Sequence, residues 1–283
     1  MRSSAVSIRS IRPEHMAESA GTDGWEAKYE TRRKRMTSTL TSEMAQRLMI
    51  ALDYPDAESA RTLIRKLEGI PCYMKVGMQL YYQAGPQFVR ELKSLGYSVF
   101  LDLKMHDIPN TVKGGANSIA KLGVDMFNVH AAGGSKMMAA AVEGVEEALA
   151  ADSSLSRPLV IAVTQLTSTD SVTMNEEIGI PGSVEDTVIR YAKLAAGAGL
   201  DGVVASPLEA EGIKRACGSS FRTVTPGIRP AGSAANDQSR TKTPGEAISG
   251  GSDYIVVGRP ITAAADPREA ALQILEDMSR QQQ

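Results

Sequence analysis

The stretch "FLDLKMHDIPNTV", Phe100 to Val112, sets two carboxylates and an ammonium, Asp102, Lys104 and Asp107, in a run that otherwise reads as a buried strand. Charges taken out of water are costly unless they neutralise one another. Alternation along a strand predicts Asp102 and Lys104 on one face, with Leu101 and Leu103 on the other. Lys75, in the earlier run "CYMKVG", supplies a second ammonium, so that Lys75 and Lys104 can alternate with Asp102 and Asp107. Such an array is either a reactive centre or an ion-pair network that only braces one end of the fold, since both perturb side-chain pKa values. A second group has the chemistry of an anion site. "VVGRPI", Val256 to Ile261, places Gly258 at a strand end just before Arg259, where backbone N–H groups and a guanidinium can grip a phosphate, and the turn "TPGIRP" adds Arg229. The plain alternative is a turn carrying a solvated arginine.

Those residues need elements to position them. From Arg47 onward, short apolar runs alternate with longer stretches of helical periodicity. Eight runs stand out: "RLMIAL", "CYMKVG", "YSVFLDL", "DMFNVH", "PLVIAVT", "DGVVAS", "RTVTPG" and "DYIVVG". Between and after them lie helical candidates at Asp56 to Leu67, Pro86 to Ser94, Ser135 to Leu149, Ser183 to Ala198 and Asp266 to Met278. Eight parallel strands with intervening helices predict an α/β fold, a single-domain (β/α)8 TIM barrel, with a doubly wound open sheet as the alternative. Either fold binds ligands at the carboxyl ends of its strands. Polar residues gather there: Asp53 after the first run, Lys75 in the second, His130 at the end of the fourth, then "TQLTSTD", "TPGIR" and "GRPIT". The loop Gln165 to Gly182 and the segment from Gly227 to about Thr243 exceed ordinary loop length, and are expected lids.

Composition narrows the partners. The 283 residues are 42% hydrophobic, enough for one large domain, and 31 basic against 33 acidic residues give a net charge of -2. That balance argues against nucleic-acid or anionic-membrane surfaces and for a small charged ligand. Cys72 and Cys217 lie far apart without CxxC spacing, which excludes a disulfide framework and predicts a reducing, cytoplasmic setting. No apolar run is long enough to span a membrane, and no secretory signal core is evident. Residues 1–40 are rich in Ser, Thr and Arg, with Trp25 and the cluster "RRKR" at Arg32 to Arg35. They are expected to be an N-terminal extension, a leader or a disordered, solvated tail, with Met36 as an alternative start and the catalytic barrel over 41–283.

Taken in order, "ALD" at Ala51, "KVGMQL" at Lys75, "FLDLKMHDIPNTV" at Phe100, "NVHA" at Asn128, "VTQLTS" at Val163, "TPGIR" at Thr225, Gln238 and "VVGRPIT" at Val256 resemble the bacterial type of orotidine 5'-phosphate decarboxylase. The resemblance spans roughly Arg47 to Glu276. It implies conversion of orotidine monophosphate to UMP and CO2, the last step of pyrimidine nucleotide synthesis, with no metal and no organic cofactor. Loss of CO2 leaves negative charge at C6 of the pyrimidine with no conjugated carbonyl to absorb it, so the protein must stabilise it electrostatically. The resemblance further implies that Lys104 protonates C6, that Asp102 lies against the substrate carboxylate, and that Lys75 orients Lys104. Asp53 and Lys75 are then expected at the ribose, and Thr167 or Ser168 at the pyrimidine edge. Arg229, Gln238, Gly258 and Arg259 are expected at the phosphate. It also implies a homodimer in which Asp107, Ile108 and Thr111 reach into the neighbouring subunit's site.

Plainer roles are expected for several neighbours: His130 as a hydrogen-bonded barrel residue, His106 as a supporting one, Met78 to Tyr82 as packing, and Pro109 as the stiff start of a helix. Two rivals stand beside this reading. Metal-dependent barrel lyases of the 3-keto-gulonate-6-phosphate decarboxylase and hexulose-phosphate synthase kind share the DxKxxD pattern, but carry an acidic metal ligand where this chain has Lys75. A non-catalytic phosphate sensor on the same scaffold is the other, because fold alone does not fix function.

Overall fold

The computed structural model describes residues 43–231 and 241–280; the whole of the expected N-terminal extension, residues 1–40, and Gln238 lie outside them. All eight apolar runs form strands: β1 (Leu48–Ala51), β2 (Tyr73–Gly77), β3 (Ser98–Met105), β4 (Met126–His130), β5 (Leu159–Val163), β6 (Gly202–Val204), β7 (Arg222–Thr225) and β8 (Tyr254–Val257). Each pairs in parallel with the next, and β8 returns to β1 with Leu48 opposite Ile255, closing the barrel. Among the described residues no helix is long and apolar enough to cross a membrane.

The helices that follow the strands are α1 (Ala57–Lys66), α2 (Met78–Ser94), α3 (Pro109–Ala120), α4 (Gly134–Ala151), α5 (Val184–Gly197), α6 (Ala210–Cys217), α7 (Pro244–Ser249), α8 (Arg259–Thr262) and α9 (Pro267–Arg280). Asp56 and Ser183 cap α1 and α5 by accepting backbone N–H bonds, and Thr243 with Glu246 forms a reciprocal capping box on α7. Helix α2 begins at Met78 rather than at Pro86. The proline nevertheless marks a real discontinuity, because Gly85 before it has φ 68°, a left-handed conformation that breaks the helical course. Met78 and Tyr82, expected to pack, are exposed, and of that stretch Leu80 is fully buried. In the long loop after β5, Thr173–Glu177 form one turn of π-helix.

Met49, Ala51, Phe100, Met126, Ile161, Val224 and Val256 fill the barrel interior, with Tyr73 and Tyr254 packed edge to face, ring centroids 5.7 Å apart. At the amino end a single device recurs. Asp125, Asp201 and Asp253, each just before an even-numbered strand, accept the backbone N–H of Val99, Val160 and Thr223 at 2.7 Å, and pair with Lys93, Arg157 and Lys214. These bonds tie neighbouring strands at the end of the barrel away from the ligand mouth, so they serve stability.

Candidate active site

The inward face of each strand changes character toward its carboxyl end. Ala51, Lys75 and Phe100 are register neighbours on β1, β2 and β3, and Gly77 pairs with Asp102 two residues further up. Above this apolar floor lies a cavity of about 600 Å³, lined on one side by Asp53, Lys75, Asp102 and Lys104.

Those four form a row. Lys75 Nζ lies 3.2 Å from Asp53 Oδ1 and 3.3 Å from Asp102 Oδ2, and Lys104 Nζ lies 2.6 Å from Asp102 Oδ1. Lys75 and Asp102 are each only 8% exposed, which makes their pairing necessary rather than incidental. Burial by itself would lower the pKa of Lys75, but Asp102 and Asp53 outweigh it and hold the value above that of an ordinary lysine. Burial would likewise raise the pKa of Asp102, yet Lys75, Lys104 and a hydrogen bond from Asn128 hold it below the usual carboxylate range. Both groups are therefore charged at neutral pH.

Simple alternation does not explain how Lys104 reaches this row. Between the pairs Leu101–Phe127 and Met105–Val129, three residues of β3, Asp102 to Lys104, stand against one of β4, Asn128, a bulge in the ladder. Within it Lys104 adopts φ 53°, the one positive φ at a non-glycine residue among the described residues. A lysine in this region costs on the order of 1–3 kcal/mol, a penalty that surrounding contacts must offset. Here the offset is visible: Asn128, 1% exposed, accepts the Lys104 backbone N–H at 2.8 Å through Oδ1 and donates from Nδ2 to Asp102 Oδ1 at 2.7 Å. Asn128 is not among the residues that the sequence alone marks for the site. Its signal was an amide at an inward position of an otherwise apolar strand, which must find partners when buried.

The lining contributed after β7 and β8 is cationic. It includes Arg229 and Arg259 together with Gly258. Arg229 donates from a terminal nitrogen to the Ile228 carbonyl at 2.9 Å, while its Nε is buried with no hydrogen-bond partner among the described residues. Burial and then the nearby Arg259 charge push the Arg229 pKa down. Two guanidiniums that disfavour each other, one with an unsatisfied N–H, define a place for an anion. Thr167 and Ser168, from the loop after β5, also line the cavity, as do Gln165 and Pro226.

Three expected site residues are elsewhere in this chain. Asp107, Ile108 and Thr111 are exposed and do not line the cavity. Beyond the bulge the chain leaves the barrel for α3, and the Asp107 carboxylate accepts the Ile108 N–H at 2.6 Å. Within one chain the alternating row therefore ends at Asp53, not at Asp107. His130 is half-buried and its pKa is lowered, first by burial and then by His106 and Lys104, although Asp102 acts the other way. Its ring packs 5.5 Å from that of His106, and it makes no side-chain hydrogen bond among the described residues, contrary to expectation. Pro109 opens α3 as expected. Among the described residues no cluster of three or more His, Cys, Asp or Glu side chains is arranged to hold a metal ion.

Comparison with known proteins gives a consistent answer. The family model described as "Orotidine 5'-phosphate decarboxylase / HUMPS family" matches residues 46–274. A Bacillus cereus (strain AH820) protein named orotidine 5'-phosphate decarboxylase is 53% identical over 227 residues, covering 80% of this chain and 94% of that one. The crystal structure of orotidine 5'-phosphate decarboxylase from Lactobacillus acidophilus superposes with a TM-score of 0.73 at 41% identity, covering 82% of this chain and 99% of the other. An uncharacterized conserved protein from Geobacillus kaustophilus does so with a TM-score of 0.72 at 46% identity.

Proposed function

This chain belongs to the orotidine 5'-phosphate decarboxylase / HUMPS family, and from that premise we propose that it decarboxylates orotidine 5'-monophosphate to UMP and CO2 without a cofactor, Lys104 donating the proton to C6. The observation that carries the proposal is the buried row in which Asp102 bridges the ammonium groups of Lys75 and Lys104.

The row supplies what the reaction lacks. As CO2 departs, its bonding electrons remain in the plane of the pyrimidine at C6, outside the ring's π system. A fixed ammonium beside that carbon stabilises the charge as it develops, and then transfers a proton to the same atom. Lys104 is held for this by its 2.6 Å pairing with Asp102. In this reading Asp102 faces the substrate carboxylate, and Lys75 keeps Asp102 ionised and in place. Asp53, 65% exposed at its side chain, is available to the ribose hydroxyls together with Lys75. Thr167 and Ser168 meet the pyrimidine edge. Arg229, Arg259 and Gly258 take the phosphate, with Gln238 assigned to the same task. Phosphate binding far from C6 then contributes energy that is realised at the reacting carbon.

A metal-assisted reaction of the kind run by other barrel lyases fits poorly, because the Lys75 ammonium 3.3 Å from Asp102 would repel a divalent cation there. The proposal includes a homodimer in which the exposed Asp107, Ile108 and Thr111 complete the partner's site. It also includes a cytoplasmic location, which the two unpaired cysteines, Cys72 and Cys217, support. The activity is tested by following the ultraviolet absorbance of orotidine monophosphate in buffer containing excess chelator. Undiminished turnover is expected, and loss of turnover that returns with added magnesium would overturn the reading.

A further inference from the structure

We propose that Asn128 is a positioning residue for the decarboxylation, fixing Lys104 at both its backbone and its counter-ion. The inference rests on the functional reading above and adds a residue that the cavity itself does not show, since Asn128 does not line it.

Asn128 sits on β4 between Phe127 and Val129, directly across from the bulge where β3 loses its ladder. Its carboxamide takes over part of the missing pairing: Oδ1 accepts the N–H of Lys104, the one non-glycine residue with positive φ among the described residues. Its other end, Nδ2, donates to Asp102 Oδ1, the same oxygen that Lys104 Nζ approaches at 2.6 Å. The orientation of the amide is dictated by its partners, because an N–H can only donate and a carboxylate can only accept. Asp102 is thereby pinned from three strands, by Lys75 on β2, Lys104 on β3 and Asn128 on β4. A residue that only filled space would need neither bond. This one couples the unusual backbone of the proton donor to the carboxylate that aims it.

The test compares wild type, Asn128→Ala and Asn128→Asp for kcat and KM on orotidine monophosphate, for UMP affinity, and for folding by circular dichroism. Asn128→Ala is expected to lower kcat by about 100-fold, the scale of a misplacement near 1 Å. KM and UMP affinity are expected to stay within roughly threefold of wild type, since the lost interaction acts on the chemical step. Asn128→Asp keeps an acceptor for the Lys104 N–H but sets a second carboxylate against Asp102. Like charges raise the pKa of one member of such a pair. Acidification then returns a proton between the two oxygens and restores the lost donor, so kcat of Asn128→Asp relative to wild type should rise on the order of tenfold between pH 8 and pH 5.

His130, whose pKa is lowered by burial and by its cationic neighbours, also lies near this cluster, and the ratio to wild type removes its effect. The ratio for Asn128→Ala should be flat. A kcat for Asn128→Ala within threefold of wild type, a loss confined to KM, a pH-independent ratio for Asn128→Asp, or failure of both variants to fold would each overturn the proposal. Inactivity of the wild type toward orotidine monophosphate would instead overturn the functional reading, so the two failures are distinguishable.

Discussion

Replacing Asp102 by asparagine removes one charge and little volume, and its cost follows from the row itself. Asp102 lies 3.3 Å from one ammonium and 2.6 Å from another, attractions on the order of 5–6 kcal/mol each at an effective dielectric of about 20. Most of that offsets the desolvation of three partly or wholly buried charges, so the gross figure is not the loss. What Asp102→Asn leaves behind is Lys75, 8% exposed, and Lys104 facing each other with no carboxylate between them. Removing one partner of a buried pair costs about 3–5 kcal/mol, a large share of the roughly 5–15 kcal/mol that holds a domain together.

The pH dependence has a definite sign. The Asp102 pKa is depressed in the folded protein, so the stability it contributes is present above its unfolded value, near 3.9, and is lost as pH falls through the folded value. Urea unfolding of wild type and Asp102→Asn should therefore differ by about 3–5 kcal/mol at pH 7, and converge as pH falls below about 4. The same variant should lose at least about 100-fold in kcat, because Lys104 loses the group that aims it. A difference below about 1 kcal/mol at pH 7, or one that does not shrink in acid, would refute the view that this carboxylate is held charged by its neighbours.

Three further outcomes are expected. Arg229→Ala removes a half-buried guanidinium whose Nε has no hydrogen-bond partner among the described residues, together with its repulsion with Arg259, so the ligand-free protein should melt no lower than wild type. UMP affinity should fall at least tenfold while uridine affinity is unchanged, as read by calorimetry. Gly144→Ala on α4 places a methyl group on the Lys113 carbonyl of α3, where Asn117 also bonds to the Gly144 carbonyl, and should destabilise by about 1–3 kcal/mol in urea unfolding. Mixing Asp107→Ala with Lys104→Ala, each inactive alone, should restore roughly a quarter of wild-type activity if each site draws on both subunits, and should restore none if sites are complete within one chain.

The strands were legible because a parallel barrel buries both faces of each, leaving unbroken apolar runs such as "LMIA" and "LVIAV". Polar residues at the ends of those runs also located the cavity mouth, including Asp53, Lys75, Arg229 and Arg259. Local signals misled where tertiary geometry prevails. Regular alternation predicts Asp102 and Lys104 on one face, but the structure brings them together through a bulge and a left-handed lysine, neither of which has a composition of its own. Asp107 is close to Lys104 in sequence, yet the chain has by then turned away toward α3. The start of α2 at Met78 was hidden by the Gly85–Pro86 pair, whose signal reports a break inside the helix.

The central claim, that Lys104 both stabilises and protonates C6, is met most directly by one comparison: turnover and UMP affinity of Lys104→Ala beside wild type. The account predicts that turnover of orotidine monophosphate falls below detection while UMP still binds at the Arg229 and Arg259 end of the cavity. Substantial turnover by Lys104→Ala would contradict it.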